Sequence, residues 1–263
     1  MTVDALEFLY GKLPPNAAYT PASLRVLKPK RSTPVPVIVS GDACWGYITD
    51  AVQQAVLARG YALAMFDRTE IAADAPHREQ PNANLKSGTL AAWAWGYHRC
   101  IDALIQMSEL DASKIIVTGH SRGGKAALLA SATDSRIWLT HANNAGTLGS
   151  ASHHVQGKGS ETIEALVTQF PHWVGEALKV YLARGKTVAE LPFDQDQLLT
   201  RIAPRALLIT QALGDDWANP KGTQYLLEKC QSPHIHAVYR QGMHPQTMAD
   251  WLALLDHLPR LLD

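Results

Sequence analysis

The sequence has no excess of charge of either sign, because its 24 lysine and arginine residues are matched by 24 aspartate and glutamate residues. Binding to nucleic acid depends on basic side chains that displace counterions from the phosphate backbone. A chain of 263 residues with zero formal net charge is therefore not expected to have nucleic acid as its main partner. We expect a substrate that binds in a local pocket instead.

Cysteine is also scarce, with three widely spaced residues: Cys44, Cys100 and Cys230. An odd number without a C-x-x-C pair indicates neither a disulfide framework nor a zinc site. No apolar stretch approaches the ~20 residues needed to cross a bilayer, and residues 1–16 lack the basic and apolar regions of a signal peptide. These absences predict a cytoplasmic protein without a membrane partner, although a secreted protein shortened at its N-terminus would show the same pattern.

Apolar residues are plentiful, at 46% of the chain, which is enough to bury a large core. Short β-branched runs alternate with longer segments of helical periodicity, a pattern typical of an α/β protein with a mostly parallel central sheet and helices on both faces. The predicted strands are 35–39, 61–66, 114–119, 136–142, 206–211 and 234–239, and the main predicted helices are 48–59, 88–109, 121–131, 220–230 and 246–262. We interpret the less regular segment 143–200, with a helix starting at Glu161, as a cap inserted into a single domain of residues 1–263.

The segment GHSRG at residues 119–123 matches the G-x-S-x-G pattern of a nucleophile elbow. The pattern alone has little specificity, but here an apolar strand leads into it and a helix-forming run follows it. A strand–turn–helix holds Ser121 in a strained conformation, and side chains in place of the flanking glycines would clash. The context predicts an α/β-hydrolase fold with Ser121 as the nucleophile, and the alternative is a glycine-rich turn with an idle serine.

A nucleophilic serine needs a base, and the base needs an acid that orients it. In this fold the acid and then the histidine follow the serine along the chain. Asp215 follows the predicted strand 206–211 and is our choice for the acid, with Asp216 in reserve; alternatively, both acids only cap the next helix. His244 lies between the last strand and the last helix, where the base belongs. The other downstream histidines lie within predicted strands or helices: His234, His236 and His257.

The oxyanion that forms during attack needs hydrogen-bond donors that are already in place. We expect one donor to be the backbone N–H of Arg122, at the start of a helix, and a second to come from the loop near Gly41 and Asp42. Lys125 lies one helical turn beyond Ser121 on the same side of the helix. It either binds a polar group of the substrate or is a solvated surface lysine.

Residues 119–125, GHSRGGK, resemble the G-[CH]-S-R-x-G-K elbow of the glucuronoyl esterases, the fifteenth carbohydrate esterase family. Further segments resemble the same family in the same order: AWAWG at 92–96, FPHW at 170–173, LPFDQ at 191–195, IAPR at 202–205 and DDWANP at 215–220. The resemblance extends from about residue 36 to the C-terminus. Its extent makes it more specific than any one motif.

The resemblance implies a serine carboxylic ester hydrolase that cleaves esters of a sugar acid, such as 4-O-methyl-glucuronate, through an acyl-enzyme. It implies that Ser121 is the nucleophile, that His244 is the base, and that the Arg122 side chain helps to stabilise the oxyanion. It also implies that three side chains hold the sugar: Lys125, Glu161 and Trp217. This chemistry requires no metal and no organic cofactor, and the expected partner is a small-molecule or carbohydrate ester.

The chain departs from the family pattern where many relatives have a catalytic Glu, after the strand that follows the elbow. Here that position reads Asn143 and Asn144, so the role of the acid moves to Asp215, which other relatives also use. Secreted relatives also have a signal peptide, and the usual N-terminal region is longer.

Two other readings of the sequence remain open. A general acetyl esterase or a dienelactone-hydrolase-like enzyme is favoured if Lys125 and Trp217 do not line the pocket beside Ser121. A non-catalytic binding protein with a hydrolase fold is favoured if His244 and Asp215 are too far apart to form a hydrogen bond.

Overall fold

The computed structural model describes residues 1–12, 23–75 and 87–262. Its strands are β1 (Leu24–Leu27), β2 (Val35–Ser40), β3 (Ala62–Phe66), β4 (Leu110–His120), β5 (Ile137–Asn143), β6 (Ala206–Ala212) and β7 (Ile235–Arg240). In this part of the chain they form one sheet in the order β1-β3-β2-β4-β5-β6-β7. The strands from β2 to β7 pair in parallel, whereas β1 pairs antiparallel with β3 at one edge.

The helices in the described ranges pack around the sheet. They are α1 (Val3–Tyr10), α2 (Asp50–Ala58), α3 (Thr89–Leu104), α4 (Arg122–Thr133), α5 (Ile163–Gln169), α6 (Glu176–Ala183), α7 (Asp196–Ile202), α8 (Pro220–Cys230), α9 (Met248–His257) and α10 (Pro259–Leu262). Short 3₁₀ turns lie at Arg68–Glu70, Pro171–Trp173, Val188–Glu190 and Asp216–Ala218.

The inner strands of the sheet are buried on both faces because their side chains alternate between two cores, whereas the edge strands β1 and β7 are partly exposed. In β2, Val37 and Val39 belong to the larger core, which also contains residues of α3 and α4. Ile38 points the other way, into the core that contains Val52 of α2 and Trp251 of α9. The central strands β4 and β6 divide their side chains between the same two cores. This arrangement confirms the predicted mostly parallel sheet with helices on both faces.

The predicted strands and main helices agree with the observed ones to within a few residues, with the following exceptions. Helices α1, α6 and α7 and strand β1 were not predicted. Strand β1 gave no clear pattern because Leu24–Leu27 is only four residues long and contains the exposed Arg25. The predicted helix 246–262 is two helices, since Pro259 lacks the N–H that would continue α9. The predicted helix 88–109 ends at Leu104, and Leu110 already begins β4.

The segment between β5 and β6 carries α5, α6 and the turn Pro171–Trp173. Helix α6 packs against α1, where the rings of Phe8 and Tyr181 meet edge to face at 5.5 Å. Helix α7 instead packs on α4 and α8 and so belongs to the helical layer over the sheet. The helix expected from Glu161 begins at Ile163, because Thr162 caps it by accepting a hydrogen bond from Ala165 N at 3.1 Å.

The cysteines Cys44, Cys100 and Cys230 are free thiols. Among the helices of the described residues, none combines the length and the apolar character of a membrane span. His153 is buried with its Nδ1 3.9 Å from Asp194. Within the described ranges no group of three or more potential ligands could hold a metal ion.

Candidate active site

The turn after β4 holds Ser121 in a conformation that few L-residues adopt. Ser121 has φ 52° and ψ −121°, and its backbone N–H donates to the carbonyl of Asn143 at the end of β5, at 2.8 Å. A Cβ at Gly119 would lie 2.3 Å from the carbonyl oxygen of Gly123, and a Cβ at Gly123 would lie 2.1 Å from Asp42 Oδ1. Only glycine fits at both positions, as expected for a nucleophile elbow rather than an ordinary turn.

His244 and Asp215 reach Ser121 from the loops that follow β7 and β6. Ser121 Oγ lies 2.9 Å from His244 Nε2, and His244 Nδ1 lies 2.6 Å from Asp215 Oδ2. Because the ionised carboxylate only accepts hydrogen bonds, Nδ1 carries the proton and Nε2 is free to accept the serine proton. The reading as a non-catalytic binding protein required His244 and Asp215 to be out of hydrogen-bonding range, and they are within it.

The two loops that carry the acid and the base are joined to each other beyond the ends of their strands. Leu213 N donates to Arg240 O at 2.9 Å, and Gly214 N donates to Gly242 O at 3.0 Å. The β6–β7 pairing therefore continues to the residue before Asp215, which keeps the acid and the base in register.

The structure also separates the two candidate acids. Asp215 is buried and Asp216 is exposed, so Asp216 is not in the triad. Asp215 caps the turn Asp216–Ala218 through its other oxygen, at 3.3 Å from Ala218 N. Asn219, not an aspartate, caps α8 by accepting from Gly222 N at 3.0 Å. The interpretation that both acids only cap that helix is therefore wrong.

The backbone donors expected from the early loop are already engaged within the protein. Gly41 N donates to the hydroxyl of Tyr97 at 2.9 Å, and Asp42 N lies 3.3 Å from Ser40 Oγ. Asp42 instead presents its carboxylate to the elbow, where it accepts from His120 N at 2.7 Å and pairs with the buried Arg68. The N–H groups of Gly41 and Asp42 are therefore not free to act as the expected oxyanion donors, because each already donates to a hydroxyl group of the protein.

Arg122 offers two kinds of donor beside Ser121. It is the first residue of α4, and the first N–H groups of a helix have no acceptor within that helix. Its side chain lines the same cavity as Ser121 and forms an ion pair with Asp74, with 2.6 Å between Nη1 and Oδ2. Arg122 therefore brings a backbone and a side-chain donor to the wall of the cavity that Ser121 also lines.

Lys125 is a buried residue and not the solvated surface lysine of the alternative reading. Its side chain is 4% exposed, and Nζ donates to Glu161 Oε2 at 2.8 Å. A second bond from Nζ reaches the carbonyl of Thr147. Burial lowers the pKa of Lys125, whereas the carboxylate of Glu161 acts in the opposite direction. The backbone N–H of Glu161 in turn donates to Trp217 O at 3.0 Å, so the three residues that the family resemblance selected are directly connected.

A cavity of about 270 Å³ opens beside Ser121. Its walls include the nucleophile, the base, Arg122 and the three residues expected to hold the sugar. Asp215 does not line the cavity and contacts the far side of the His244 ring through Nδ1. The lining residues are Ser121, Arg122, Lys125, Asn144, Ala145, Gly146, Glu161, Gln169, Phe170, Trp173, Trp217, Ala218 and His244. Lys125 and Trp217 thus line the pocket beside Ser121, which favours a glucuronoyl esterase over a general acetyl esterase or a dienelactone-hydrolase-like enzyme.

Asn144 occupies the position at which many relatives were expected to have an acid. It is buried and has φ 45°. Its side-chain amide donates to the backbone carbonyl of His244 at 2.8 Å and accepts from Ala212 N at 2.7 Å. Asn144 thus ties the loop of the base to the end of β6. The sequence shows that the acid is missing but does not reveal this role of Asn144, because its two partners lie 68 and 100 residues away along the chain.

The side chain of His120 packs against the catalytic base. Its ring lies 4.7 Å from the ring of His244, and its Nδ1 lies 2.6 Å from Asn143 Oδ1. Burial, followed by the proximity of His244, lowers the pKa of His120 to about 4. The ring is therefore neutral near pH 7 and adds no positive charge that would oppose protonation of His244.

The parallel sheet, the strained serine after β4, and the acid and base after β6 and β7 define an α/β-hydrolase fold with a complete serine–histidine–aspartate arrangement. The sequence profile described as "Glucuronyl esterase, fungi" matches residues 16–239. Because that match covers most of the chain, the chain belongs to the glucuronyl esterase family.

Individual relatives agree with this assignment. A carbohydrate esterase from an unknown prokaryotic organism is 38% identical over 153 residues, which cover 58% of this chain and 33% of the relative. A 4-O-methyl-glucuronoyl methylesterase from Hypocrea jecorina is 36% identical, with 51% of this chain and 30% of the relative covered. The match thus spans about a third of the length of these curated relatives.

A solved structure matches over nearly the whole chain. A family 15 glucuronoyl esterase from Caldicellulosiruptor kristjansonii superposes with a TM-score of 0.82 at 28% identity, covering 99% of this chain and 84% of that one. The α/β-hydrolase fold predicted from the elbow and the strand pattern is thereby confirmed.

Proposed function

We propose that this chain is a serine esterase that hydrolyses esters of a sugar acid, such as 4-O-methyl-glucuronate, through an acyl-enzyme. The observation that carries the proposal is the position of the buried Lys125–Glu161 pair. It lines the same cavity as Ser121 and His244, so a recognition site for polar groups adjoins a nucleophile. The names of the curated relatives, carbohydrate esterase and 4-O-methyl-glucuronoyl methylesterase, support the same reaction.

The first half of the reaction forms the acyl-enzyme. Ser121 Oγ attacks the ester carbonyl while His244 Nε2 takes the serine proton, and Asp215 stabilises the resulting imidazolium. The negative charge that develops on the carbonyl oxygen is stabilised by the backbone N–H and the guanidinium of Arg122. When the tetrahedral intermediate collapses, the C–O bond to the alcohol breaks and His244 returns the proton to the departing alkoxide.

The second half of the reaction restores the serine. Water attacks the acyl carbon, His244 takes one proton from it, and the bond to Ser121 Oγ breaks as His244 reprotonates the serine. The products are the free sugar acid and the alcohol. No oxidant, reductant or metal ion enters the balance of this reaction.

The Lys125–Glu161 pair suits a sugar because its net charge is close to zero while its hydrogen-bonding capacity is high. The ammonium supplies donors and the carboxylate supplies acceptors, so adjacent hydroxyl groups of a sugar ring can bond to both. Trp217, with 41% of its surface exposed, offers an apolar ring face at the rim of the cavity against which the sugar can pack.

Hydrolysis of methyl and benzyl glucuronate esters, compared with nitrophenyl acetate, tests the proposal. We expect the purified protein to hydrolyse the glucuronate esters, and we expect Ser121→Ala to lower kcat by about 10⁴-fold or more. Activity on nitrophenyl acetate alone would indicate a general acetyl esterase. Undiminished activity of Ser121→Ala would contradict the mechanism as a whole.

Recognition of the sugar is tested by Trp217→Ala, with Tyr225→Ala as the matched control. Both aromatic side chains are exposed to a similar degree, 41% and 39%, but only Trp217 lines the cavity. Loss of one ring contact costs about 1 kcal/mol, so we expect Trp217→Ala to raise KM for glucuronate esters several-fold and leave nitrophenyl acetate hydrolysis unchanged. Equal effects of the two variants on KM would contradict the role of Trp217.

A further inference from the structure

The guanidinium of Arg122 is held in place by groups that lie far from it in the sequence. Its Nη1 donates to Asp74 Oδ2 at 2.6 Å. The guanidinium carbon lies 4.7 Å from the ring centroid of Trp173 and 5.1 Å from that of Phe170. Asp74 follows β3, whereas the two aromatic residues belong to the segment between β5 and β6. Two separate parts of the fold thus converge on one side chain beside the nucleophile.

Asp74 is itself fixed by more than its ion pair. Its second oxygen, Oδ1, accepts hydrogen bonds from Trp173 Nε1 at 2.9 Å and from His172 Nε2 at 3.1 Å. Burial on its own would raise the pKa of Asp74, but the hydrogen bond of His172, the charge of Arg122 and the indole N–H outweigh it and hold that pKa well below its usual range. The carboxylate is therefore ionised near pH 7, and both of its oxygens have partners within the protein.

We propose that Asp74 is a positioning residue that holds the Arg122 guanidinium where it stabilises the oxyanion, an inference that rests on the proposed function. An arginine side chain has many rotamers, and an oxyanion donor contributes to catalysis only when its position is fixed before the reaction. A guanidinium has five N–H donors, so the bond from Nη1 to Asp74 leaves others for a substrate in the cavity. The ion pair also supplies the counter-charge that a partly desolvated arginine needs.

Asp74→Asn tests the inference because asparagine keeps the size but replaces one acceptor oxygen by an NH₂ group. That group would face either the guanidinium or the N–H groups of His172 and Trp173, all of which are donors. We expect Asp74→Asn to lower kcat for glucuronate esters about 10- to 100-fold, with KM changed less than threefold. Asp74→Glu retains the charge and is expected to recover part of the lost kcat.

A double-mutant comparison shows whether Asp74 acts through Arg122. In the background of Arg122→Met, Asp74→Asn should cause no further loss of kcat, because the guanidinium that it positions is already gone. Asp102→Asn is the matched control: Asp102 pairs with Arg136 at 2.6 Å on the surface, and we expect its loss to leave kcat unchanged. Additive losses in the double variant would assign Asp74 a purely structural role and overturn the inference.

A fluorophosphonate probe tests this inference independently of the natural substrate. The probe reacts with an activated serine and places an oxygen in the oxyanion site, whichever ester the enzyme hydrolyses. We expect Asp74→Asn to lower the second-order rate of Ser121 labelling at least tenfold, with folding monitored by circular dichroism. Equal rates in the wild type and Asp74→Asn would contradict the inference alone. Rapid labelling without hydrolysis of glucuronate esters would contradict only the proposed substrate, and an unreactive wild-type Ser121 would contradict both proposals.

Discussion

Asn144 shows how a single amide determines which carboxylate can serve the triad. Its Oδ1 accepts from Ala212 N and its Nδ2 donates to His244 O, so the side chain must be an acceptor on one side and a donor on the other. A carboxylate satisfies only the first requirement. The acid of this chain is therefore supplied by Asp215, which reaches His244 Nδ1 from the adjacent loop.

Asn144→Asp is consequently expected to be harmful, although many relatives were expected to have an acid at this position. Its second oxygen would face the carbonyl oxygen of His244, and a buried group left without a partner costs about 1–3 kcal/mol. We expect a lower free energy of unfolding by that amount in urea titrations, and a reduced kcat. We also expect that an acid at position 144 cannot replace Asp215: Asp215→Asn should remain inactive when combined with Asn144→Asp. Recovery of activity in that double variant would contradict this account.

The residues of the triad were predictable because each follows a strand in a fixed order, and the strands are visible as apolar runs. Ser121, His244 and Asp215 were chosen on that basis, and the structure brings them together. Asp74 carried no comparable signal, because it lies 48 residues before Arg122 in an irregular segment. The burial of Lys125 was also left open by the sequence, since helical spacing gives the direction of a side chain but not what covers it.

At the scale of elements, the elbow depends on the close approach of β4 and α4. A methyl group at Gly119 would lie 2.3 Å from the carbonyl oxygen and 2.4 Å from the carbonyl carbon of Gly123. Both are backbone atoms at the start of a helix that is packed against the sheet, so neither can move aside cheaply. The sequence predicted this contact through its glycine spacing, whereas the edge strand β1 was too short to be recognised.

Gly119→Ala is expected to lower the free energy of unfolding by about 3 kcal/mol and to abolish detectable esterase activity, since the strained turn cannot form unchanged. Thermal unfolding and activity assays measure both effects. Gly46→Ala is the matched control, because a Cβ there meets no atom within 4 Å; it should behave like the wild type. A folded, active Gly119→Ala variant would show that the elbow tolerates a wider separation of strand and helix.

At the scale of the whole molecule, buried histidines couple folding to pH. His120 and His141 lie on neighbouring strands, where His141 Nδ1 is 2.7 Å from Thr118 Oγ1 and Nε2 is 2.9 Å from Thr210 Oγ1. Burial lowers the pKa of each histidine to about 4. In the unfolded chain both would titrate near pH 6.5, so between these values the unfolded state binds more protons than the folded state.

Folding stability is therefore expected to be highest above about pH 6.5 and to fall as the pH drops toward 4, by about 1.4 kcal/mol per pH unit for each such histidine. Urea unfolding at about pH 7 and about pH 5 measures the difference. His141→Gln can still bond to both threonine hydroxyls but cannot be protonated, so its stability should decrease less between the two pH values than that of the wild type. His234→Gln removes an exposed histidine and should leave the pH dependence unchanged. An equal loss of unfolding free energy between the two pH values in the wild type, His141→Gln and His234→Gln would contradict this account. Proton uptake by His141 would then not contribute to the acid sensitivity of the fold.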